Sequence, residues 1–308
     1  IWRDMGPYER GAILRKAADL LRQRAPEIAK EISSENGKIE SEGVAEVNWS
    51  AEFLDWCAEE GRRTYGRVVP ARLPNVRQTV IREPVGPVLA MSPWNWPLVT
   101  AVKKIAGALS AGCSVVLKIS FTGSVPVGVE LSVLAARAKK PITLELGGHA
   151  PVIVFEDADL DHAIKTIFPF KFRTAGQVCS APTRMFGTSG YFYAPTVLNN
   201  VPDHAAVMQD EPFGPLAPIS TFTDYDDVIR RANSTEFGLA AYAFTRSLDL
   251  SRRVSRDLDC GVVGINTMAV SMVEAPFGGF KSSGTGKEGG IEGLESYLRT
   301  KFIVEASA

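Results

Sequence analysis

Cysteine is scarce in this chain of 308 residues: four in all, Cys57, Cys113, Cys179 and Cys260. They are widely scattered and form no C-x-x-C pair, which argues against a disulfide framework and a structural zinc site. Reduced thiols in an intracellular, cytoplasmic protein are the expectation. Histidine is scarcer still. His149, His162 and His204 show no metal-ligand spacing, so no metal is assigned, and His149 reads as a packing or hydrogen-bonding residue. An excess of either charge is also missing. Lys plus Arg number 34 and Asp plus Glu 35, for a net charge of -1, so neither nucleic acid nor an anionic membrane is an expected partner. No apolar run approaches the ~20 residues of a membrane span, and no signal-peptide pattern is visible. The chain opens mid-pattern at Ile1-Trp2 without a Met, and its true beginning is expected upstream. Internal repeats and low-complexity tracts are absent as well.

What is present is ordinary globular material, 45% hydrophobic and 22% charged, with length enough for two domains. Helical periodicity runs over Pro7–Ser34 and stops at Asn36-Gly37. A second helix covers Val44–Tyr65, with Trp49, Phe53, Trp56 and Cys57 on its apolar side. A hairpin is expected from residues 67–69 and 78–82. Strand Gly86–Ser92, helix Leu98–Ser110 and strand Cys113–Lys118 then read as a parallel βαβ unit. Ligands of such sheets sit beyond the carboxyl ends of the strands, where Asn95 and Lys118 fall.

A glycine turn with Gly123 and Gly128 leads into the helical pattern Val129–Ala138, and Pro141–Leu146 reads as the next strand. Such a turn can hold a phosphate on backbone N–H groups. Its G-x-x-x-x-G spacing alone is a weak signal, for which a plain turn with a helix cap is the better reading. A second α/β layer follows, with strands at 150–155, 240–244 and 262–266 and helices at 159–171, 224–233 and 248–256. The Gly-rich stretch Pro276–Gly290 reads as surface loop. Ser296–Val304 alternates like a strand. Having no partner nearby in sequence, it is expected to pair across a subunit boundary.

Two residues stand out for chemistry. Cys179 follows a small, flexible Ala175-Gly176 pair, and Glu145 closes an apolar run before Gly147-Gly148. A thiol becomes a nucleophile beside a base or in a positive environment, and a glutamate before two glycines can serve as a base.

Six motifs occur in one order: Ser92-Pro93-Trp94-Asn95-Trp96-Pro97-Leu98, Phe121-Thr122-Gly123-Ser124, Leu144-Glu145-Leu146-Gly147-Gly148, Gly176-Gln177-Val178-Cys179, Glu211-Pro212-Phe213-Gly214-Pro215 and Pro276-Phe277-Gly278-Gly279. Together they resemble the NAD(P)-dependent aldehyde dehydrogenase superfamily. The resemblance implies an α/β fold with a Rossmann-like cofactor domain, an α/β catalytic domain and a β-ribbon for oligomerisation. The divisions expected are residues 1–147, with an oligomerisation hairpin at about 66–83, then 148–290, then a terminal strand over 291–308 that builds the ribbon together with the hairpin. It implies NAD or NADP as cofactor, a small aldehyde as substrate, and a homodimer or homotetramer. Cys179 matches the nucleophile, Glu145 the base that activates water, and Asn95 the side-chain donor to the oxyanion. Lys118 and Glu211 match residues that hold the cofactor's ribose rings. Ser124 matches the pyrophosphate position, Gly123 and Gly128 the turn that admits it, and Trp94 and Phe213 fall on the cofactor side. Among succinate-semialdehyde dehydrogenases an arginine at the place of Arg173 binds the substrate's distal carboxylate. Lys103 falls near a second basic position of that group, and Ser271 is a third candidate for the same pocket. A carboxylate-bearing semialdehyde is therefore the leading substrate. A CoA-acylating relative is the rival within enzymes, and Glu145 favours hydrolysis.

Two junctions depart from the family's pattern. Lys118 runs straight into Ile119-Ser120-Phe121, and Phe186 meets Gly187-Thr188, where the family has several dozen further residues. Parallel neighbours need a crossover of about a dozen residues or more. We expect that the sequence as printed omits segments there. The rival is a genuine deletion, which would leave a non-catalytic homologue with exposed apolar surface. Thr174, where Asn is common, is a smaller departure.

Overall fold

The computed structural model describes residues 2–182 and 194–306, with the side chains of residues 116–119 outside that description. Along the chain run α1 (Pro7–Gln23), α2 (Ala25–Asn36), α3 (Glu40–Glu60), β1 (Arg67–Val69), β2 (Val76–Pro84), β3 (Val88–Met91), α4 (Val99–Ser110), β4 (Val115–Thr122), α5 (Val125–Arg137) and β5 (Ile142–Glu145). The second half continues with β6 (Val152–Val154), α6 (Leu160–Phe172), β7 (Thr196–Leu198), α7 (Ala206–Gln209), β8 (Leu216–Pro218), α8 (Tyr225–Ala232), β9 (Phe237–Gly238) and β10 (Ala240–Phe244). It closes with α9 (Leu248–Asp257), β11 (Val262–Ile265), β12 (Phe280–Lys281), β13 (Gly284–Thr285), α10 (Gly290–Glu295) and β14 (Leu298–Ala306).

Of the five sheets among the described residues, two are two-stranded, β7-β8 and β9-β12, and three are larger. The first has the order β13-β5-β4-β3, with β3, β4 and β5 parallel and β13 antiparallel. The second, β6-β10-β11, is parallel throughout. Its strand β10 is buried at every position, as a central parallel strand should be. The third, β1-β2-β14, is an antiparallel ribbon. A helical layer forms where Leu14 and Ala18 of α1 meet Ala51, Phe53, Leu54 and Ala58 of α3 and Val99, Val102 and Ala106 of α4.

Four expectations are corrected. The helix over Pro7–Ser34 is two helices broken at Arg24, because Pro26 cannot continue the earlier hydrogen-bond ladder and instead opens α2. Gly128 is not in a turn but inside α5, where its absent Cβ lets the helix lie on Leu146. Pro276–Gly290 is no surface loop. Phe277, Ser283 and Glu288 are buried, and the glycines serve close packing, with Gly278 against Glu145 and Gly284 against Leu144. Finally, β14 finds its partner within its own chain, pairing with β2 from Leu298↔Pro84 to Ala306↔Val76.

The junction after Lys118 is also read differently. A strand ending there was expected, but β4 continues to Thr122. The mismatch is absorbed by a register shift, in which Val88 pairs with Val115 and Leu89 with Ile119. Beside it, Val127, Val129, Val133 and Leu134 of α5 are exposed. The second junction, at 186–187, lies outside the described residues. No helix among the described residues is long and apolar enough to cross a membrane.

Candidate active site

Helix α6 delivers the cysteine loop. Its N-cap Asp159 accepts from the His162 amide at 3.0 Å, and the helix ends at Arg173. Thr174, Ala175 and Gly176 then all have positive φ, 51°, 52° and 75°. Two non-glycine residues in that region are strained by about 1 kcal/mol or more each, and only surrounding bonds keep them there. Glu42 of α3 supplies two of these, accepting from the Thr174 amide at 3.0 Å and its hydroxyl at 3.3 Å. Tyr242 donates to the Ser180 carbonyl at 2.9 Å. Gly148 stands so close to the Cys179 carbonyl that any Cβ there would collide with it.

Cys179 is half-buried. Burial pushes its thiol up to about 12; the charges of Glu145 and Glu211 add to this, and Lys103 and Arg173 oppose it. Cys57 and Cys113 are buried in packed layers, as expected of structural thiols, and Cys260 is half-buried.

Asn95 comes to the cysteine loop from the other side. It is buried, and its side-chain Nδ2 donates to the Gln177 carbonyl at 2.7 Å. A side-chain amide has two N–H groups, so a second donor remains. The loop carrying Asn95 is held by a buried ion pair: Lys38 and Glu46 have no exposed side-chain surface and stand 2.7 Å apart. Lys38 also donates to the Asn95 carbonyl at 3.1 Å and lies 3.6 Å from the centre of the Trp96 ring. Glu46 accepts from the amides of Leu98 and Val99, at 2.9 and 3.1 Å, and so caps α4.

Glu145 ends β5 and is 3% exposed. Its Oε1 is buried with no hydrogen-bond partner. Burial, then the charge of Glu288, holds its carboxyl well above the usual range, while Lys103, Lys104 and Lys287 oppose the shift. Behind it, Lys104 pairs with Glu288 at 2.6 Å and donates to Thr122 Oγ1 at 2.6 Å.

The residues assigned to the cofactor are brought together in part. Ser124 caps α5 without a side-chain hydrogen bond, so the first-turn amides have no side-chain acceptor there. The start of α5 follows directly on the carboxyl end of β4, a placement that suits a pyrophosphate. The Gly123 amide donates to the Glu145 carbonyl at 3.1 Å. Glu211 accepts from the Gly148 amide at 3.0 Å and crowds Gly147. Trp94 is exposed and meets Phe213 edge-on at 6.1 Å. The side chain of Lys118 lies outside those described.

Of the substrate candidates, Arg173 stacks on Phe170 at 3.8 Å and faces Trp96 at 5.5 Å, and its Nε is buried without a partner. Lys103 lies about 5 Å from three rings, Trp49, Phe53 and Phe277, at 5.1, 4.9 and 5.0 Å. Ser271 Oγ is also buried without a hydrogen-bond partner. His149 stacks on Phe237. Among the described residues no group of His, Cys, Asp or Glu is placed to hold a metal.

Sequence reading missed Lys38, Glu42, Glu46, Lys104 and Glu288. Each looks like a solvated charge on a helix or loop. The one available signal was Glu42 and Glu46 standing four residues apart, hence on one helix face.

The chain matches the aldehyde dehydrogenase family in three pieces, residues 1–120, 118–189 and 187–303, which join at the two junctions singled out in the sequence. It is 38% identical to the 4-(hydroxymethyl)benzenesulfonate dehydrogenase TsaD1 of Comamonas testosteroni, covering 98% of this chain and 86% of that protein. It is 33% identical to the NADP-linked succinate-semialdehyde dehydrogenase GabD of Escherichia coli (strain K12), with the same coverage. These alignments run over 411 and 415 positions, more than the 308 residues present, so both cross segments that only the relatives have. The crystal structure of succinate-semialdehyde dehydrogenase from Burkholderia pseudomallei superposes with a TM-score of 0.95 at 32% identity, covering 99% of this chain and 87% of that one. This chain therefore belongs to the aldehyde dehydrogenase family and is an NAD(P)-dependent oxidoreductase acting on an aldehyde.

Proposed function

We propose that the enzyme oxidises an aldehyde bearing an anionic group at its far end, a semialdehyde such as succinate semialdehyde, to the carboxylic acid through a thioester on Cys179. One observation carries the substrate reading. Arg173, six residues before Cys179, is a half-buried guanidinium with an unpartnered Nε and, among the described residues, no ion pair. Glu42 acts on it only through its charge, without an ion-pair contact among the described residues; a half-buried cation so placed favours an anion from outside, and a guanidinium grips a carboxylate with two hydrogen bonds. Lys103 adds positive charge near the same thiol. Relatives named for succinate semialdehyde, glutarate semialdehyde and 4-(hydroxymethyl)benzenesulfonate support this reading, since each of those compounds carries an anionic group.

In this mechanism the Cys179 sulfur gives its proton to a solvent water and bonds to the aldehyde carbon. The carbonyl oxygen takes the negative charge and is met by the free N–H of Asn95 and the backbone amide of Cys179. Ser124 and Glu211 would hold NAD or NADP, which would supply the hydride acceptor for the carbon held at Cys179. Glu145, once ionised, removes a proton from water, whose oxygen bonds to the thioester carbon as the Cys179 thiolate departs. Arg173 holds the substrate's far end throughout.

The division at 147–148, with the β1-β2-β14 ribbon as the surface of a homodimer or homotetramer, completes the reading. The four free thiols favour the cytoplasm. A second reading of the junctions, that they are real deletions, draws on the register shift between β3 and β4 and the exposed apolar face of α5. Intact mass separates the two, because a mass near 33.3 kDa means true deletion. The substrate reading is tested with semialdehydes and neutral aldehydes, each offered with both cofactors. Arg173→Leu should raise KM for the anionic substrates roughly 10- to 100-fold and leave neutral ones unaffected. Equal KM changes for both classes would remove the anion-binding role.

A further inference from the structure

Two carboxylates of α3, Glu42 and Glu46, stand one helical turn apart, and each grips a different loop of the site. Glu42 holds the cysteine loop at its strained point, through the Thr174 amide and hydroxyl. Glu46 holds the Asn95 loop, through the Leu98 and Val99 amides and through Lys38, which bonds the Asn95 carbonyl. The loops touch each other through Asn95 and Gln177. Both donors assigned to the oxyanion, the Asn95 side chain and the Cys179 amide, thus hang from one rigid helix face.

We propose that Glu42, Glu46 and Lys38 are positioning residues, and that α3 sets the spacing between the two oxyanion donors. The inference rests on the roles given above to Asn95 and Cys179. A helix face is well suited to the task, since residues four apart keep a fixed separation, whereas a loop with two non-glycine residues at positive φ cannot hold its own shape. Misplacing such groups by about 1 Å can cost on the order of 100-fold in rate.

The test compares two reactions of Cys179 that need no nicotinamide. Acylation by p-nitrophenyl acetate builds charge on a carbonyl oxygen and needs the donors; alkylation by iodoacetamide builds none. Glu42→Ala and Lys38→Met should slow acylation at least about 10-fold while alkylation stays near wild type. Glu42→Gln, which keeps an acceptor for Thr174, should recover most of the rate. Lys38→Met/Asn95→Ala should acylate no more slowly than Asn95→Ala alone, because Lys38 acts through Asn95. Lys38→Met leaves Glu46 without its counter-charge and can fail to fold; the half-buried Glu42 variants then decide alone. The proposal is overturned if folded Glu42→Ala acylates at the wild-type rate, if acylation and alkylation fall together, or if the double variant loses the product of the single effects. Asn95→Ala acylating normally would instead bring down the oxyanion reading, and this inference with it.

Discussion

The amide of Gly148 donates to Glu211 Oε1 at 3.0 Å, tying the turn just after Glu145 to a segment more than sixty residues away. Burial raises the Glu211 carboxyl to about 7, and only the Gly148 bond pulls the other way. A carboxyl raised in the folded state binds its proton more tightly there than in the unfolded chain. Its contribution to stability is present below the ordinary value of 4.5 and is lost as pH rises through about 7. Glu211→Gln should therefore gain stability relative to wild type over that window, by at most roughly 3 kcal/mol. Urea unfolding at several pH values reads this directly, and parallel stability curves for the two proteins would refute it.

The thiol gives a second test. With Cys179 near 12 in the free enzyme, its alkylation rate should climb about tenfold per pH unit from neutral into alkaline solution. Lys103→Met removes a charge that favours the thiolate and should slow alkylation at fixed pH. Cys179→Ala should abolish NAD(P)H formation while the unfolding midpoint stays close to wild type. A plateau in alkylation near pH 8 would contradict the protonated resting thiol.

Glu145 should control release of the acyl group. Glu145→Gln is expected to leave the first turnover of NAD(P)H largely intact and to slow the steady state by about 100-fold or more. Because burial holds the wild-type carboxyl above its usual range, deacylation should accelerate as pH rises and the proton is lost, and the Gln variant should lack that rise. An unchanged steady-state rate in the variant would reject the assignment. Stimulation of the wild type by CoA would point to thiol, not water, as acceptor.

Gly176 offers a backbone test. Its φ is 75°, and a Cβ there would strike the Gly214 carbonyl. Gly176→Ala should destabilise the protein by about 1–3 kcal/mol and lower turnover on the order of 100-fold by moving the cysteine loop. Circular dichroism and single-turnover rates measure the two effects separately. A variant with wild-type turnover would show that the loop tolerates the shift.

What could be read in advance follows the range of the interactions involved. Cys179, Asn95 and Glu145 sit in short contiguous motifs at strand and helix ends, where turn chemistry and apolar runs are local signals. The parallel units β3–α4–β4 and β10–α9–β11 follow from hydrophobic patterning alone. The residues that were missed act at long range. Lys38 bonds a carbonyl at position 95, Glu42 an amide at 174, and Lys104 a carboxylate at 288. Nothing in a helix pattern tells such a charge from a solvated one. Pro276–Gly290 misled for a related reason: glycine marks both exposed turns and tight backbone approach, and only the neighbours distinguish the two.

The pairing of β2 with β14 also bears on how the molecule is made. Residues 76–84 wait for partners at 298–306, and β13 at 284–285 is the edge of a sheet begun at β3. Neither sheet can be completed while the ribosome is still translating the middle of the chain. Strand β2 has β1 on one edge from early on, but its other edge stays unpaired until residues 298–306 emerge, an interval in which chaperone contact or pairing with another nascent copy competes with self-closure.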